Sequence, residues 1–416
     1  MNAVVIQANE VLETNIALVY KSVFLGETVA LLKYLGFNVR VCDTTIDNYS
    51  MDELMRIVMH DSDLIILVVD VQQSKVAKRI AEFCKLCSPT SKILVIGRAT
   101  SFIPQYFERF PFDAIHISGD REAAIVNYAK VLKKELSIEE AANLSIILNG
   151  IPIRSKRVEW LLPESWHTPD LSGLPIEKYV ILNKKQHPNR DLILGITAMK
   201  GCPYNCPYCG ASVEEGTKIR YGIPERIVNW GNSISKDFTV QLWSPDMLSS
   251  KSWLKQFVQH YESSGSSFKW RGVARITSID EEKIKTIYNY NCKEIAVGVE
   301  MIKKGTNRAL KSNVAQLKEA IDVCKRYGIN LKCLLMLGYP GYSLEDVRYT
   351  INFLKSNELN YRITGYTPLQ LLSKKTTSEL DSTPLELFDR RTYYIPQEIE
   401  SGQFYKILFS NGECLL

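Results

Sequence analysis

The sequence predicts an α/β protein with two parallel-sheet domains in series, and three features of its 416 residues carry that prediction. Short β-rich apolar runs alternate with helical segments over residues 1–136, the alternation resumes at about residue 191, and a proline-punctuated stretch separates the two series. Strictly alternating strands and helices argue for parallel sheets covered by helices.

In the first series the strands are AVVIQA (3–8), NVRVCD (38–43), LIILVVD (64–70), KILVIG (92–97) and DAIHIS (113–118), with helices over about 17–35, 51–60, 73–87 and 121–135. Five such units predict a flavodoxin-like, Rossmann-type doubly wound domain, whose ligands bind at the carboxyl ends of its strands. Residues 137–190 lose the rhythm and carry Pro152, Pro163, Pro169, Pro175 and Pro188, with Trp160 and Trp166 between them, which reads as an ordered connector. The second series, 191–370, has strands near 192–201, 238–243, 269–275, 293–300, 330–337 and 361–367, with helices clearest at 313–327 and 344–356. Six units are too few for a closed eight-stranded barrel and predict a partial (β/α)6 barrel. Residues 371–416 read as a short C-terminal segment.

Composition narrows the class. Apolar residues are 45% and charged residues 23%, which argues against disordered and fibrous chains. A net charge of +5 without a basic run gives no electrostatic reason to expect nucleic acid as partner. Apolar stretches such as LIILVVDV fall short of the about 20 residues that span a bilayer, and no export signal is visible, so a cytoplasmic protein is expected. Ten cysteines in such a chain point to metal or cluster ligation rather than disulfides.

Immediately after the first strand of the second series the sequence reads GCPYNCPYCGAS, placing Cys202, Cys206 and Cys209 at CxxxCxxC spacing. A loop at the carboxyl end of a barrel strand is where this architecture puts its chemistry, and three soft thiolates within eight residues can wrap one metal centre. A structural zinc site normally takes four ligands, and no further His or Cys lies close in sequence to be the obvious fourth. On a four-iron cubane, three thiolates leave one iron without a protein ligand. Cys84 and Cys87 form a CxxC inside a helical stretch and read as packing, as do Cys42, Cys292, Cys324 and Cys333, while Cys414 is unassigned. His116 lies within a strand and reads as buried packing.

The cysteine loop, with Tyr208 before its last cysteine, resembles the radical S-adenosylmethionine (SAM) superfamily. The resemblance implies a 4Fe-4S cluster on Cys202, Cys206 and Cys209, with SAM chelating the open iron and being cleaved to a 5′-deoxyadenosyl radical. It extends over about 190–370. WSPDMLS is similar to the family's FxDD, so Ser244 and Asp246 are expected near the SAM methionyl group or the substrate; a loop cap on the next helix is the competing role for Asp246. RGVAR places Arg275 near the SAM carboxylate, EIAVGVE matches IGVES and puts Glu300 near the SAM ribose or amino group, and LGYPGYSLED resembles GLPGET, with Gly338, Pro340 and Gly341 in the turn beside adenine. YTPLQ adds Tyr366 and Pro368 at the barrel mouth.

The preceding domain is similar to that of the cobalamin-binding branch: LLKYLGFNVRVCD resembles YLREHGHEVRVVD, and DAIHISGDREAAI resembles DxVVxGEGExxI. That branch implies cobalamin-facing positions at Asn9, Thr14, Asp70, Gly97, Gly119 and Glu122. Departures are plain: the DxHxxG signature is absent, Gly97 is followed by Arg98, and VDVQQS replaces a Ser/Thr-rich turn. The resemblance implies a cobalamin-dependent radical SAM methyltransferase acting on an unactivated carbon of a small molecule or peptide, served by an electron donor such as flavodoxin or ferredoxin. The competing readings are a radical SAM enzyme for rearrangement, oxidation or epimerisation, and a non-catalytic metal-binding module.

Overall fold

The computed structural model describes every residue except 8–20, 45, 48, 50, 187, 189–190, 235, 307–308, 311, 367, 386–394, 396–398 and 416. The chain divides into two compact units, one of Met1–Ile196, Lys200–Arg220 and Leu369–Glu386, the other of Thr197–Met199, Tyr221–Pro368 and Leu387–Leu416.

The first unit is built on β1 (Asn2–Gln7), β2 (Asn38–Asp43), β3 (Leu64–Val68), β4 (Lys92–Ile96), β5 (Ala114–His116), β6 (Leu144–Leu148) and β7 (Ile151–Arg154), hydrogen-bonded in the order β2-β1-β3-β4-β5-β6-β7. The first five are parallel. This 2-1-3-4-5 order is that of a flavodoxin-like doubly wound sheet. β3 is apolar and buried along its whole length, the composition a strand needs when both its faces are covered. Val5, Leu32, Ile66, Leu94 and Ile125 meet in its core. The helix expected over 17–35 falls partly outside the described residues; Lys21–Gly26 is π-helical and Glu27–Tyr34 α-helical.

One departure concerns the expected connector. Its residues 144–154 form β6, which adds antiparallel to β5, and β7, which adds antiparallel to β6. Asn149 and Gly150 join them with φ of 53° and 80°, the left-handed pair that a two-residue hairpin turn requires.

β8 (Leu192–Thr197), β9 (Met199–Lys200) and β10 (Arg220–Tyr221) follow, and then β11 (Phe238–Trp243), β12 (Lys269–Ala274), β13 (Cys292–Glu300), β14 (Asn330–Leu337) and β15 (Asn360–Gly365). The second large sheet has the order β15-β14-β13-β12-β11-β8, six strands as expected for a partial barrel, while β9 and β10 pair separately. β11 to β15 run parallel, with irregularities in the pairing at Trp270/Arg271 and at Gly298/Glu300. Helices Val314–Arg326 and Leu344–Ser356 begin in capping boxes at Asn313 with Gln316 and Ser343 with Asp346, which fixes where the chain turns after β13 and β14. Among the described residues no helix is long and apolar enough to cross a membrane.

Candidate functional site

The cysteine loop begins at Gly201, whose φ of 86° carries the chain out of β9. A Cβ there would lie 2.1 Å from the Lys218 carbonyl, so only glycine fits. The Cys202 amide donates to the Gly216 carbonyl at 2.9 Å and the Cys209 amide to the Cys206 carbonyl at 3.0 Å, closing a compact loop. Cys202, Cys206 and Cys209 are in no disulfide and, like Tyr208, are half-buried. The donor set, three partly accessible thiols with Arg98 close enough to Cys209 to interact with its charge, suits an electron-rich thiolate-bound cluster. Among the described residues no group of three or more His, Cys, Asp or Glu is gathered closely enough to hold a metal ion as it stands.

Ion pairs brace the loop against the strand ends of its own unit. Lys200 Nζ lies 2.8 Å from Glu122 Oε2, and both side chains are buried. Arg220 grips Asp120 with two hydrogen bonds, at 2.5 and 3.1 Å, and donates to the Leu161 and Glu215 carbonyls. Its guanidinium lies over Trp160 and Trp166, 5.4 and 5.7 Å from the ring centres. Arg98 Nε is 3.0 Å from Glu214 Oε1. Burial would raise the Glu122 carboxyl, but the charges of Arg121 and Lys200 prevail and hold it down to about 2. Glu214 stands above its usual value because burial outweighs Arg98. Sequence reasoning missed Lys200, Asp120, Arg220 and Glu214. The signal was charges set within otherwise apolar or glycine-bearing runs, TAMKG and ISGDRE.

The carboxyl edge of the Rossmann sheet holds four expected cobalamin-facing residues; Asn9 and Thr14 lie outside the described residues. Asp70 caps the turn after β3, accepting from the Val71 amide at 2.8 Å. Gly97, with φ of 131°, passes so close to Val69 that a Cβ would sit 2.0 Å from its carbonyl oxygen. Gly119, with φ of 68°, would bring a Cβ within 2.5 Å of the Asn143 amide group. Glu122 is committed to the ion pairs above. A small recess open to solvent is lined by Phe24, Gly97, Arg98, Ser101, His116, Asp120, Arg121, Glu122, Lys200, Glu214 and Glu215. His116 is buried as expected, yet it also faces this cavity. Burial lowers its pKa and its Nε2 lies 3.0 Å from the Gly119 carbonyl, so the ring is neutral with the proton on Nε2. Its Nδ1 and the Ser101 hydroxyl are buried without hydrogen-bond partners among the described residues. Partnerless polar atoms around glycine-lined backbone are what a polar ligand at this edge would complete, so the edge fits such a group.

In the second unit the expected SAM-facing residues sit at or just beyond successive strand ends. Ser244 follows β11 and is buried. Asp246 is buried and turned onto the next loop, accepting from the Arg275 amide at 3.3 Å and the Ser278 hydroxyl at 2.5 Å. Burial raises its carboxyl despite those donors. Those bonds brace the loop that carries Arg275 and Ser278. Glu300 ends β13 at a register irregularity, with φ of 60°, a strained conformation for a residue with a side chain. Gly338 and Gly341, with φ of 88° and 86°, shape the turn around exposed Pro340. Tyr366 packs edge-on against Tyr339 with ring centres 5.2 Å apart.

Residues 196–354 match the model of the Radical SAM superfamily. That stretch, from the first large barrel strand to the helix after β14, is therefore similar to a radical SAM domain. An uncharacterised methyltransferase of Pyrococcus horikoshii is 19% identical over 333 residues, covering 78% of this chain and 71% of its own. TsrM of Kitasatospora setae, a radical SAM methyltransferase solved with cobalamin and a 4Fe-4S cluster, superposes with a TM-score of 0.69 at 16% identity, covering 88% of this chain and 76% of TsrM. OxsB, a cobalamin-dependent SAM radical enzyme, gives 0.67 at 18% identity over 85% of this chain and 52% of OxsB. At such identities these structures establish the fold: a Rossmann-like parallel sheet and a radical SAM half-barrel.

Proposed function

We propose that this enzyme is a cobalamin-dependent radical SAM methyltransferase that methylates an unactivated carbon of a small-molecule or peptide substrate. The observation that carries the reading is the CxxxCxxC loop, its thiols in no disulfide, following the first barrel strand in a chain that also bears a flavodoxin-like domain. Two structures of one protein of similar fold, TsrM, support it, one with cobalamin and a 4Fe-4S cluster, the other with tryptophan substrate and a SAM analogue.

Cys202, Cys206 and Cys209 would hold the cluster, which when bound supplies an electron, received from a donor such as flavodoxin or ferredoxin, for splitting SAM. Ser244, Arg275, Glu300, the Gly338–Gly341 turn and Tyr366 would line the SAM side, with Tyr208 flanking the cluster and Asp246 fixing the Arg275 backbone. Gly97 and Gly119 would let backbone approach the corrin, while Ser101 and His116 offer it polar atoms. Cobalamin would supply the methyl group. One observation favours a second reading, a rearrangement, oxidation or epimerisation in which cobalamin has another role or none: Glu122 and Arg98, at the expected corrin edge, are already engaged in ion pairs.

Anaerobic reconstitution with iron, sulfide, SAM, reductant and hydroxocobalamin tests the reading. Methyl transfer predicts bound corrin and, with substrate, both S-adenosylhomocysteine and 5′-deoxyadenosine. Formation of 5′-deoxyadenosine and a product without S-adenosylhomocysteine would transfer support to the second reading.

A further inference from the structure

The recess at the carboxyl edge of the Rossmann sheet is rich in charge, and its cations are already matched. Arg98 pairs with Glu214, Arg121 with Glu27 and Glu122, and Lys200 with Glu122. A guest carrying net charge would add an unmatched charge to that set, which is costly away from water. Three polar atoms stand outside the pairing: His116 Nδ1, the Ser101 hydroxyl oxygen and Arg121 Nε. Each is buried without a hydrogen-bond partner among the described residues, and all three residues line the recess.

Local structure fixes what each atom offers. His116 ends β5 and is 3% exposed; its Nε2–H donates to the Gly119 carbonyl at 3.0 Å, which leaves Nδ1 a bare lone pair. Burial lowers the pKa of the ring and keeps it in that neutral form. Arg121 opens the helix Arg121–Leu132, and its Nη2 reaches Glu27 Oε2 at 3.0 Å, Glu122 Oε1 at 2.8 Å and the Val23 carbonyl at 3.2 Å. Its guanidinium carbon lies 4.2 Å from the Phe24 ring centre, so the group is held in place with Nε–H as a buried donor. Ser101, on the helix Arg98–Phe102, can donate or accept. A carboxylate or phosphate has no hydrogen for Nδ1 and would face its lone pair. An ammonium has no acceptor for Arg121 Nε. A primary carboxamide has both a donor NH2 and an acceptor oxygen on one planar, neutral group.

Resting on the cobalamin reading of this edge, we propose that the recess is a seat for a neutral primary carboxamide, its NH2 donating to His116 Nδ1 and its oxygen accepting from Ser101 and Arg121 Nε. The corrin periphery presents such groups at the ends of its propionamide arms, and a free amide has the same chemistry. Recognition here is then by amide complementarity rather than by charge, so Arg98 and Glu122 keep their ion pairs when the ligand is bound.

Two titrations of the full-length, cluster-reconstituted protein test this. In the first, equilibrium dialysis compares hydroxocobalamin with its b-, d- and e-monocarboxylic acid derivatives, in each of which one propionamide has become a carboxylate. One derivative is expected to bind about tenfold or more weakly than the parent. His116→Leu, with Ser101→Ala as the second variant should the first fail to fold, brings that ratio towards one. In the second, protein with nitrogen-15-labelled histidine is titrated with propionamide and, as control, propionate; the His116 Nδ1 resonance is expected to move saturably with the amide alone. Discrimination in the first titration assigns the seat to a corrin arm, and a shift in the second with equal corrin affinities assigns it to another amide. Discrimination that survives in both variants, or corrin binding with equal affinities and no amide shift, overturns this inference alone. A propionamide shift in a protein that takes up no corrin breaks the cobalamin reading alone, and silence in both titrations overturns both.

Discussion

Two regions of the molecule gather charge away from water, and they do so on opposite terms. At the carboxyl edge of the Rossmann sheet each buried cation has a named acid: Lys200 with Glu122, Arg220 with Asp120, Arg121 with Glu27 and Glu122, and Arg98 with Glu214. On the interior face of the half-barrel, Lys269, Arg271, Lys332 and Arg362 share a surface on which Glu294 is the one acid of the described strand bodies. A charge taken out of water needs an opposite charge close by. Where the protein supplies it the cluster is architecture, here bracing the cysteine loop. On the half-barrel face Arg271 instead divides between an ion pair with Glu294 and a hydrogen bond to the neutral Gln241.

The sharpest break of this comparison is Glu122→Gln, which leaves Lys200 and Arg121 buried beside one acid fewer; a loss of about 3–5 kcal/mol in chemical denaturation is expected at neutral pH. The effect carries a pH signature. Glu122 titrates near 2 in the folded chain against an ordinary 4.5, so its contribution is present in full above about 4.5 and fades as pH falls towards 2. The gap between wild type and variant therefore narrows over that window, and a gap constant down to pH 3 would show that the pair is not what stabilises the edge. Asp120→Asn comes next, at about 3 kcal/mol, because Arg220 keeps its two carbonyl acceptors and its tryptophan faces. Glu294→Gln should cost only about 1 kcal/mol by the same assay, Arg271 retaining Gln241. If it matched Glu122→Gln, the contrast between the regions would collapse. Glu281→Gln, removing an exposed partner of Arg326, should leave the melting temperature unchanged.

Much of this was legible in the sequence, for reasons that differ by region. Parallel strands buried on both faces are continuous apolar runs, so LIILVVD and KILVIG marked β3 and β4 within two residues, and their alternation with helices implied the topology. The β6–β7 hairpin was overlooked although Asn149-Gly150 between LSIIL and IPIR announces it, because Pro152 and the surrounding prolines suggested a connector; an edge strand tolerates proline. The cysteine loop was readable because its ligands are close in sequence. Its braces were not, since Lys200 and Glu122 are 78 residues apart and Arg220 and Asp120 are 100 apart, partnerships that only packing creates. Asp246 was readable as a position but not as a direction: its carboxylate turns to Ser278 and the Arg275 amide.

The central claim, that three thiolates hold a cubane with one iron open to SAM, is tested most directly by Mössbauer spectroscopy of iron-57-reconstituted protein with and without SAM. Four irons per chain are expected, one of which changes its isomer shift on adding SAM, and Cys206→Ala should lose both that signal and 5′-deoxyadenosine formation. Zinc in place of iron, a cluster indifferent to SAM, or an unaltered Cys206→Ala protein would contradict it.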